Sequence, residues 1–399
     1  MLFGKKLNIF SIALSILLLI VFSGNIIAVD IGGEIKTYLT GAIDDDGNIS
    51  TDLSQSLDLE LYLPSYGQTS SRVRFLIYNP EIIDQYGSTS RINFKNLYLR
   101  HSFDDLRVTV GRQPISWSFG SLINPVDFAI GAEVLDQEGL AVYQDAINLR
   151  YSINWNSHLE LVAANTRADD YKWGFRARTN YQGFDLSANY VKEAIFSLPV
   201  SFMDYDQIGG NNQDPITELF SETKLAIDRY GFTFKGDLAS FGTHGAFGYY
   251  KFRETGNPEL DLMLEDPLYA IVLGGDYSYN FDYNRRIIFH AEYLAIQHDF
   301  LGNPLIQKEL GDVGNRLDFI LANIAYPIDD FSSLSLMTMA SLGDGSLMLM
   351  PVYENEFASN LKLSLMPQFY IGEQGELFSG YTEKGRKRGS FEMSLSYAF

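Results

Sequence analysis

Three observations in the 399-residue sequence predict an all-β chain whose roughly eighteen antiparallel strands close into a barrel. Apolar and polar side chains alternate with a period of two along most of the chain. The connections between the alternating segments sort by length. After Phe22 every apolar stretch is broken by charge, proline or glycine within a few residues, so no later segment could cross a membrane as a helix.

The clearest alternation is the last. Phe391, Met393, Leu395, Tyr397 and Phe399 occupy one face, and Glu392, Ser394, Ser396 and Ala398 the other. Upstream, Leu57, Leu59, Leu61 and Leu63 oppose Asp58, Glu60 and Tyr62. Ile147, Leu149, Tyr151 and Ile153 oppose Asn148, Arg150 and Ser152. Trp173, Phe175 and Ala177 oppose Lys172, Arg176 and Arg178, while Tyr230, Phe232 and Phe234 oppose Thr233 and Lys235. Ile287, Phe289, Ala291 and Tyr293 oppose His290 and Glu292. Such strands, apolar outside and polar inside, are the pattern of a bilayer barrel with a wet interior.

Connections after even-numbered strands are short, such as Phe103 to Asp105, Tyr181 to Gly183 and Ser240 to Gly242. Those after odd-numbered strands include every long one: Phe119 to Ala141, Glu193 to Ile227, Glu254 to Pro267, Phe300 to Asp312 and Gln374 to Gly389. A barrel with short turns on the periplasmic rim and long loops outside sorts connections this way, whereas a soluble sandwich has no reason to. Between Phe331 and Ile371, Pro351 and Pro367 fall inside strands. A closed barrel has no free edge to hide a missing donor, so they imply bulges or a different boundary there, and merging one hairpin would give about sixteen strands.

Lys5 and Lys6, an apolar run from Ile9 to Phe22 and small residues up to Ala28 follow the order of a secretory signal peptide. Residues 1–28 are expected to be cleaved, leaving 29–399 as a single domain. With 50 acidic and 30 basic residues the chain carries −20, which argues against nucleic acid, and the absence of cysteine removes thiolate metal sites and cysteine catalysis. No cofactor is expected.

An exported chain that ends its last alternating strand on Phe399 resembles bacterial outer-membrane β-barrels, in which the terminal aromatic is read as an assembly signal. Gly111, Arg112, Gln113, Pro114, Ile115, Ser116 and Trp117, then Gly120 and Asn124-Pro125-Val126-Asp127, are similar to a signature of porin-like families, including alginate-export-type barrels; Ser118 stands where those have glycine. The resemblance implies an outer-membrane location in a diderm bacterium, the barrel-assembly machinery and membrane lipid as partners, and a porin passing small polar or anionic solutes. A selective channel for an anionic saccharide is the alternative within transport. Trimerisation is a habit of porins, although no interface for it can be named from the sequence.

If apolar positions face lipid, the opposite parity lines the pore. That face collects Arg72, Arg74, Arg100, Arg107, Arg150, Lys172, Arg176 and Arg178, accompanied by Asp58, Glu60, Glu160 and Asp185. These cations would either pair with carboxylates and stiffen the wall or set up a field that admits anions. Arg112 breaks parity with Val108 and Val110, so it reaches the lumen only through a bulge at Gly111, or else lies at the rim. The stretch from 119 to 141 is too apolar for a loop in water. It is expected to fold inward as a constriction loop, bringing Asp127, Glu133, Asp136 and Glu138 to face the basic wall.

Two other classes stay open. An adhesin or receptor would use the long acidic loops. An outer-membrane hydrolase would need a histidine-based site, and only five histidines exist; His290 with Glu292, or His298 with Asp299, could form a dyad. The chain is therefore expected not to be an enzyme. Asp44 to Asn48 is half of a calcium loop without the distal acid, and reads as a solvated turn. Asp214-Pro215 with Ile216, Leu219 and Phe220 predicts a short capped helix in the longest outer loop.

Overall fold

The computed structural model describes residues 29–44, 46–78, 92–120, 125–128, 143–165, 171–193, 226–256, 258–281, 285–302, 314–374, 376–382 and 385–399. The expected leader, the helix at 214–220, and Glu133, Asp136 and Glu138 lie outside these residues. Eighteen wall strands follow one another round a single sheet. They begin with β1 (Asp30–Asp44), β2 (Ile49–Tyr62), β3 (Thr69–Tyr78), β4 (Ile92–Phe103), β5 (Leu106–Pro114) and β6 (Tyr143–Ser152). The middle of the wall is β7 (Ser157–Asn165), β8 (Tyr171–Tyr181), β9 (Phe184–Glu193), β10 (Ile227–Leu238), β11 (Phe241–Phe252) and β12 (Leu268–Asn280). It ends with β13 (Arg286–Gln297), β14 (Arg316–Pro327), β15 (Ser332–Ser341), β16 (Leu347–Ala358), β17 (Leu361–Ile371) and β18 (Gly385–Ala398). A two-residue strand, Tyr381–Thr382, pairs only with the start of β18.

All pairings are antiparallel, and β1 meets β18 from Glu34 opposite Ala398 to Asp44 opposite Lys387, so the sheet has no edge. The last residue is part of the seam: Gly33 N donates to Phe399 O at 3.0 Å and Phe399 N to Gly33 O at 2.9 Å. Among the described residues no helix is long and apolar enough to cross a membrane; the regular helices are α1 (Pro258–Met263) and the 3-10 turn Asp299–Gly302.

Burial is inverted relative to a soluble sheet. Met393, Leu395, Tyr397 and Phe399 are exposed while Ser396 is buried, and on β2 Leu53 is exposed while Ser54, Ser56, Asp58 and Glu60 are buried. Large apolar side chains on the outside of a closed sheet are tolerated only where the solvent is lipid. On five successive strands Trp173, Tyr190, Tyr230, Tyr249 and Tyr269 form a belt towards the long-loop end, with neighbouring ring centroids 5.3, 5.1, 6.0 and 5.6 Å apart. Tyr151, Tyr181, Phe241, Tyr279, Phe281 and Phe331 are exposed towards the short-turn end. These are the two aromatic girdles of a bilayer-spanning wall.

The two prolines keep their strands. The β16–β17 ladder stops at Leu349 opposite Phe369 and resumes in the same register at Tyr353 opposite Leu365, so Pro351 and Pro367 stand across from each other. Two residues that cannot donate share one gap, and their opposite edges stay in register, Pro351 with Leu336 and Pro367 with Phe391. The count of eighteen therefore stands, and sixteen is not needed.

The interior departs from the uniformly polar lining. Along the long-loop half of β10 to β16 it is apolar: Ile227, Tyr250, Leu268, Val272, Leu294, Ile296, Phe319, Met339 and Met350 are buried. Loop residues Val126, Leu264, Phe300, Leu301 and Phe378 cap this cluster. Strands here are apolar on both faces, one to lipid and one to this core.

Leu273 lies midway along β12 between Tyr269 and Tyr279 and is 51% exposed. Leu273→Arg is expected to destabilise the barrel by about 2–4 kcal/mol, the cost of a cation near the bilayer midplane. Urea unfolding in lipid vesicles measures it; an unchanged midpoint would mean that this face does not meet lipid.

Candidate functional site

The lumen wall from β2 to β10 carries the charges that parity assigned to it. Arg72 Nε pairs with Glu60 at 2.6 Å, Arg74 Nε with Asp58 at 2.7 Å, Lys172 with Glu193 at 2.7 Å, Arg176 with Glu160 at 2.9 Å and Arg178 with Asp185 at 2.8 Å. Arg100, Arg107 and Arg150 differ: among the described residues no carboxylate lies within ion-pair distance of them. Arg107 stands directly opposite Arg150 in the β5–β6 ladder. Arg100 sits over the Tyr98 ring at 5.0 Å, and Arg150 Nη2 is 3.3 Å from His158 Nδ1. All three lie near the short-turn rim.

Two cations were not foreseen. Lys95 is buried and reaches Asp58 Oδ2 at 2.8 Å because the β3–β4 register shifts between Arg74 and Phe75, turning both Lys95 and Asn96 inward. The signal was a phase break: Ile92 and Phe94 face out, and the next outward pair is Leu97 and Leu99. Arg229, fully buried, pairs with Glu193 at 3.0 Å. Its parity with Thr233 was readable, opposite Tyr230 and Phe232. Arg112 stays on the outward parity in an unshifted β4–β5 ladder and sits at the long-loop rim, with Nη1 3.1 Å from Asp145; Gly111 has a φ of 118° without forming a bulge.

The paired charges on β7 to β10 form a seat. The chain leaving β5 turns into the lumen, and its described parts, 115–120 and 125–128, pack on inward-facing glycines. A Cβ on Gly174 would lie 2.8 Å from the Trp117 ring, and one on Gly231 would lie 2.7 Å from Val126 Cβ. Only glycine lets the loop lie this close to the wall. Lys172 Nζ lies 4.9 Å from the Phe128 ring centroid and the Arg176 guanidinium 5.6 Å from that of Trp117. The loop carbonyls are held as well: Arg229 donates to Pro125 O at 3.1 Å and to Phe128 O at 3.3 Å, Asn189 Nδ2 to Val126 O at 3.1 Å, and the Tyr250 hydroxyl to Pro125 O.

Asp127 is buried inside the loop, and its part differs from the one expected of it. Ser116 Oγ donates to Oδ2 at 2.8 Å, while Trp117 N and Phe128 N donate to Oδ1 at 2.5 and 2.8 Å. It ties the two arms of the loop together rather than presenting a carboxylate to the pore, and burial pushes this loop carboxyl up to about 6.

A closed eighteen-strand wall with a lipid-facing exterior, aromatic girdles and long loops on one rim defines an outer-membrane β-barrel. No protein-family model matches the chain, and no curated protein matches it. Solved structures do. OccK11 (OpdR) of Pseudomonas aeruginosa is 8% identical, with 93% of this chain and 96% of that chain covered and a TM-score of 0.56. Wzi of Escherichia coli, an outer-membrane protein involved in group 1 capsule assembly and described as a carbohydrate-binding β-barrel, is 10% identical, with 92% and 84% covered and a TM-score of 0.54. At these identities the likeness is one of fold.

Asp127→Asn keeps the bond pattern, accepting from the two amides and donating to Ser116, but cannot ionise. The unfolded chain releases this proton near 3.8 and the folded chain near 6, so folded stability falls as pH rises across that window, by at most about 3 kcal/mol, and is flat above it. Thermal unfolding between pH 4 and 8 is expected to show that decline in the native protein and its loss in Asp127→Asn. Arg229→Met removes the donor to Pro125 and Phe128 and is expected to raise single-channel conductance as the loop leaves the wall; unchanged conductance would show that the loop does not narrow the path.

Proposed function

We propose that the barrel is a porin-type channel for small polar and anionic solutes, with the loop seated on β8 to β11 setting its bore. The observation that carries this reading is the band of Arg100, Arg107 and Arg150. Two arginines directly opposite each other in a ladder repel, as Arg107 and Arg150 do; the carboxylate laddered to Arg150 on its other side, Glu160, is ion-paired with Arg176 instead. With no carboxylate within ion-pair distance among the described residues, the three arginines raise the local concentration of anions. Selection is thus separated from the seat: seven paired cations, Lys95 and Arg229 among them, hold the wall and loop, and three face the solute.

The fold shared with Wzi, described as a carbohydrate-binding β-barrel, is compatible with a barrel that meets saccharides. The apolar core under the long loops fills part of the lumen, which supports a narrow, off-centre path over a wide pore. Neither the fold nor the arginine band calls for catalysis.

Reversal potential in a KCl gradient across a planar bilayer tests this. The native protein is expected to favour chloride, and Arg100→Ala/Arg107→Ala/Arg150→Ala to lose that preference with conductance retained. Arg176→Ala is expected to disturb the loop instead, because Arg176 is buried against Glu160 and Trp117. A barrel that folds and passes no current would overturn the reading in favour of a receptor or adhesin.

A further inference from the structure

His244 on β11 and His290 and Glu292 on β13 point into the lumen below the apolar core. The strand between them carries Gly274, laddered to both His244 and Glu292. A Cβ there would lie 2.3 Å from His244 Nε2 and 2.8 Å from Glu292 Cγ, so the glycine lets two side chains meet across an intervening strand. His244 Nε2 is 2.7 Å from Glu292 Oε1 and His290 Nε2 is 3.4 Å from the same oxygen. The two imidazoles are stacked at 10°, and one ligand atom from each residue lies within 4.8 Å of the others.

We propose that His244, His290 and Glu292 form a three-ligand site for a divalent transition-metal ion such as Zn2+, with a further coordination position open to the lumen. Ligands about 2.0–2.2 Å from a tetrahedral zinc stand about 3.3–3.6 Å from one another, and the spacings here, 2.7 and 3.4 Å to Glu292 and within 4.8 Å overall, bracket that value. Two imidazoles and one carboxylate suit Zn2+, Co2+, Ni2+ or Cu2+ better than Mg2+ or Ca2+, which take oxygen. His244 and Glu292 are buried, which fixes their positions, and His290 is half-buried. The open position has an approach: His244 also lines a cavity of about 360 Å3 with Asp185, Lys235, Asp237, Thr243 and Asp276. Asp237 and Asp276 favour a dication there, whereas Asp185 is ion-paired with Arg178. Lys235, laddered to His244, opposes it, and its ammonium is 5.8 Å from the Phe119 ring centroid.

The site is independent of the channel reading, so binding is tested directly. The full-length barrel, folded in detergent and stripped with chelator, is titrated with Zn2+ by calorimetry and with Co2+ by visible absorption. The expected result is one ion per chain, with a cobalt d–d spectrum of low coordination number. His290→Ala, at the least buried ligand, is expected to abolish that spectrum, and Glu292→Gln to weaken affinity about tenfold or more; heat-modifiable gel migration shows that each variant is folded. Lys235→Gln is expected to tighten binding. No stoichiometric uptake by the native barrel, or uptake unchanged in His244→Ala/His290→Ala, would overturn the proposal and leave the three residues as a hydrogen-bonded cluster.

Discussion

The constraint on which everything else depends is that lipid accepts no unpaired backbone group. A sheet with an edge cannot sit in hydrocarbon, so the chain must pair Glu34 with Ala398 across almost its whole length. Once the wall is closed, each strand has one face towards lipid and one towards the interior, and side chains have only parity with which to choose. The girdles of Trp173, Tyr190, Tyr230, Tyr249 and Tyr269 at one level and Tyr151, Tyr181 and Tyr279 at another then set how deep the wall sits.

Closure creates an interior that has to be filled or wetted, and this protein does both. Where the inner face is charged, burial makes an unpaired ion costly, so Lys172, Glu193 and Arg229 solve one another's desolvation and spend their remaining donors on the loop carbonyls. Where it is apolar, from β10 to β16, loop residues such as Phe300 and Phe378 complete a core. Arg100, Arg107 and Arg150, which have no carboxylate within ion-pair distance among the described residues, lie away from both, near the short turns. The interior is thus divided into a seat for the loop, an apolar plug and an arginine band near the short turns.

The wall is legible in the sequence because lipid enforces a period of two along most of the outer face, and because connection length sorts by rim. Legibility ended where one residue shifts the phase: Lys95 is invisible until the slip between Phe94 and Leu97 is recognised as a bulge. It ended again where both faces are apolar, since Leu268, Val272 and Leu294 have the composition of lipid-facing residues and only closure reveals which way they point. The apolar content of 115–120 and 125–128 accounts for the burial of these described parts of the loop. The loop's anchors were not legible, because Asn189, Arg229 and Tyr250 lie 63 to 125 residues further along the chain from the loop groups they hold. Asp127 was read as a carboxylate for the pore on charge alone, while its bonds to Ser116, Trp117 and Phe128 are a matter of local backbone geometry.

The seam has a kinetic side. Neighbouring strands are joined by hairpins, so most of the sheet can form through contacts close in sequence, but the β1–β18 pairing runs from Asp44 with Lys387 to Glu34 with Ala398, across almost the whole chain. Contacts of that separation are the slowest to form. Until Phe399 reaches Gly33 the growing sheet has two open edges, each able to pair with another copy. The longer that state lasts, the longer those edges are open to another copy, so exposure to aggregation depends on how soon the last strand closes the seam and not only on the stability of the finished wall.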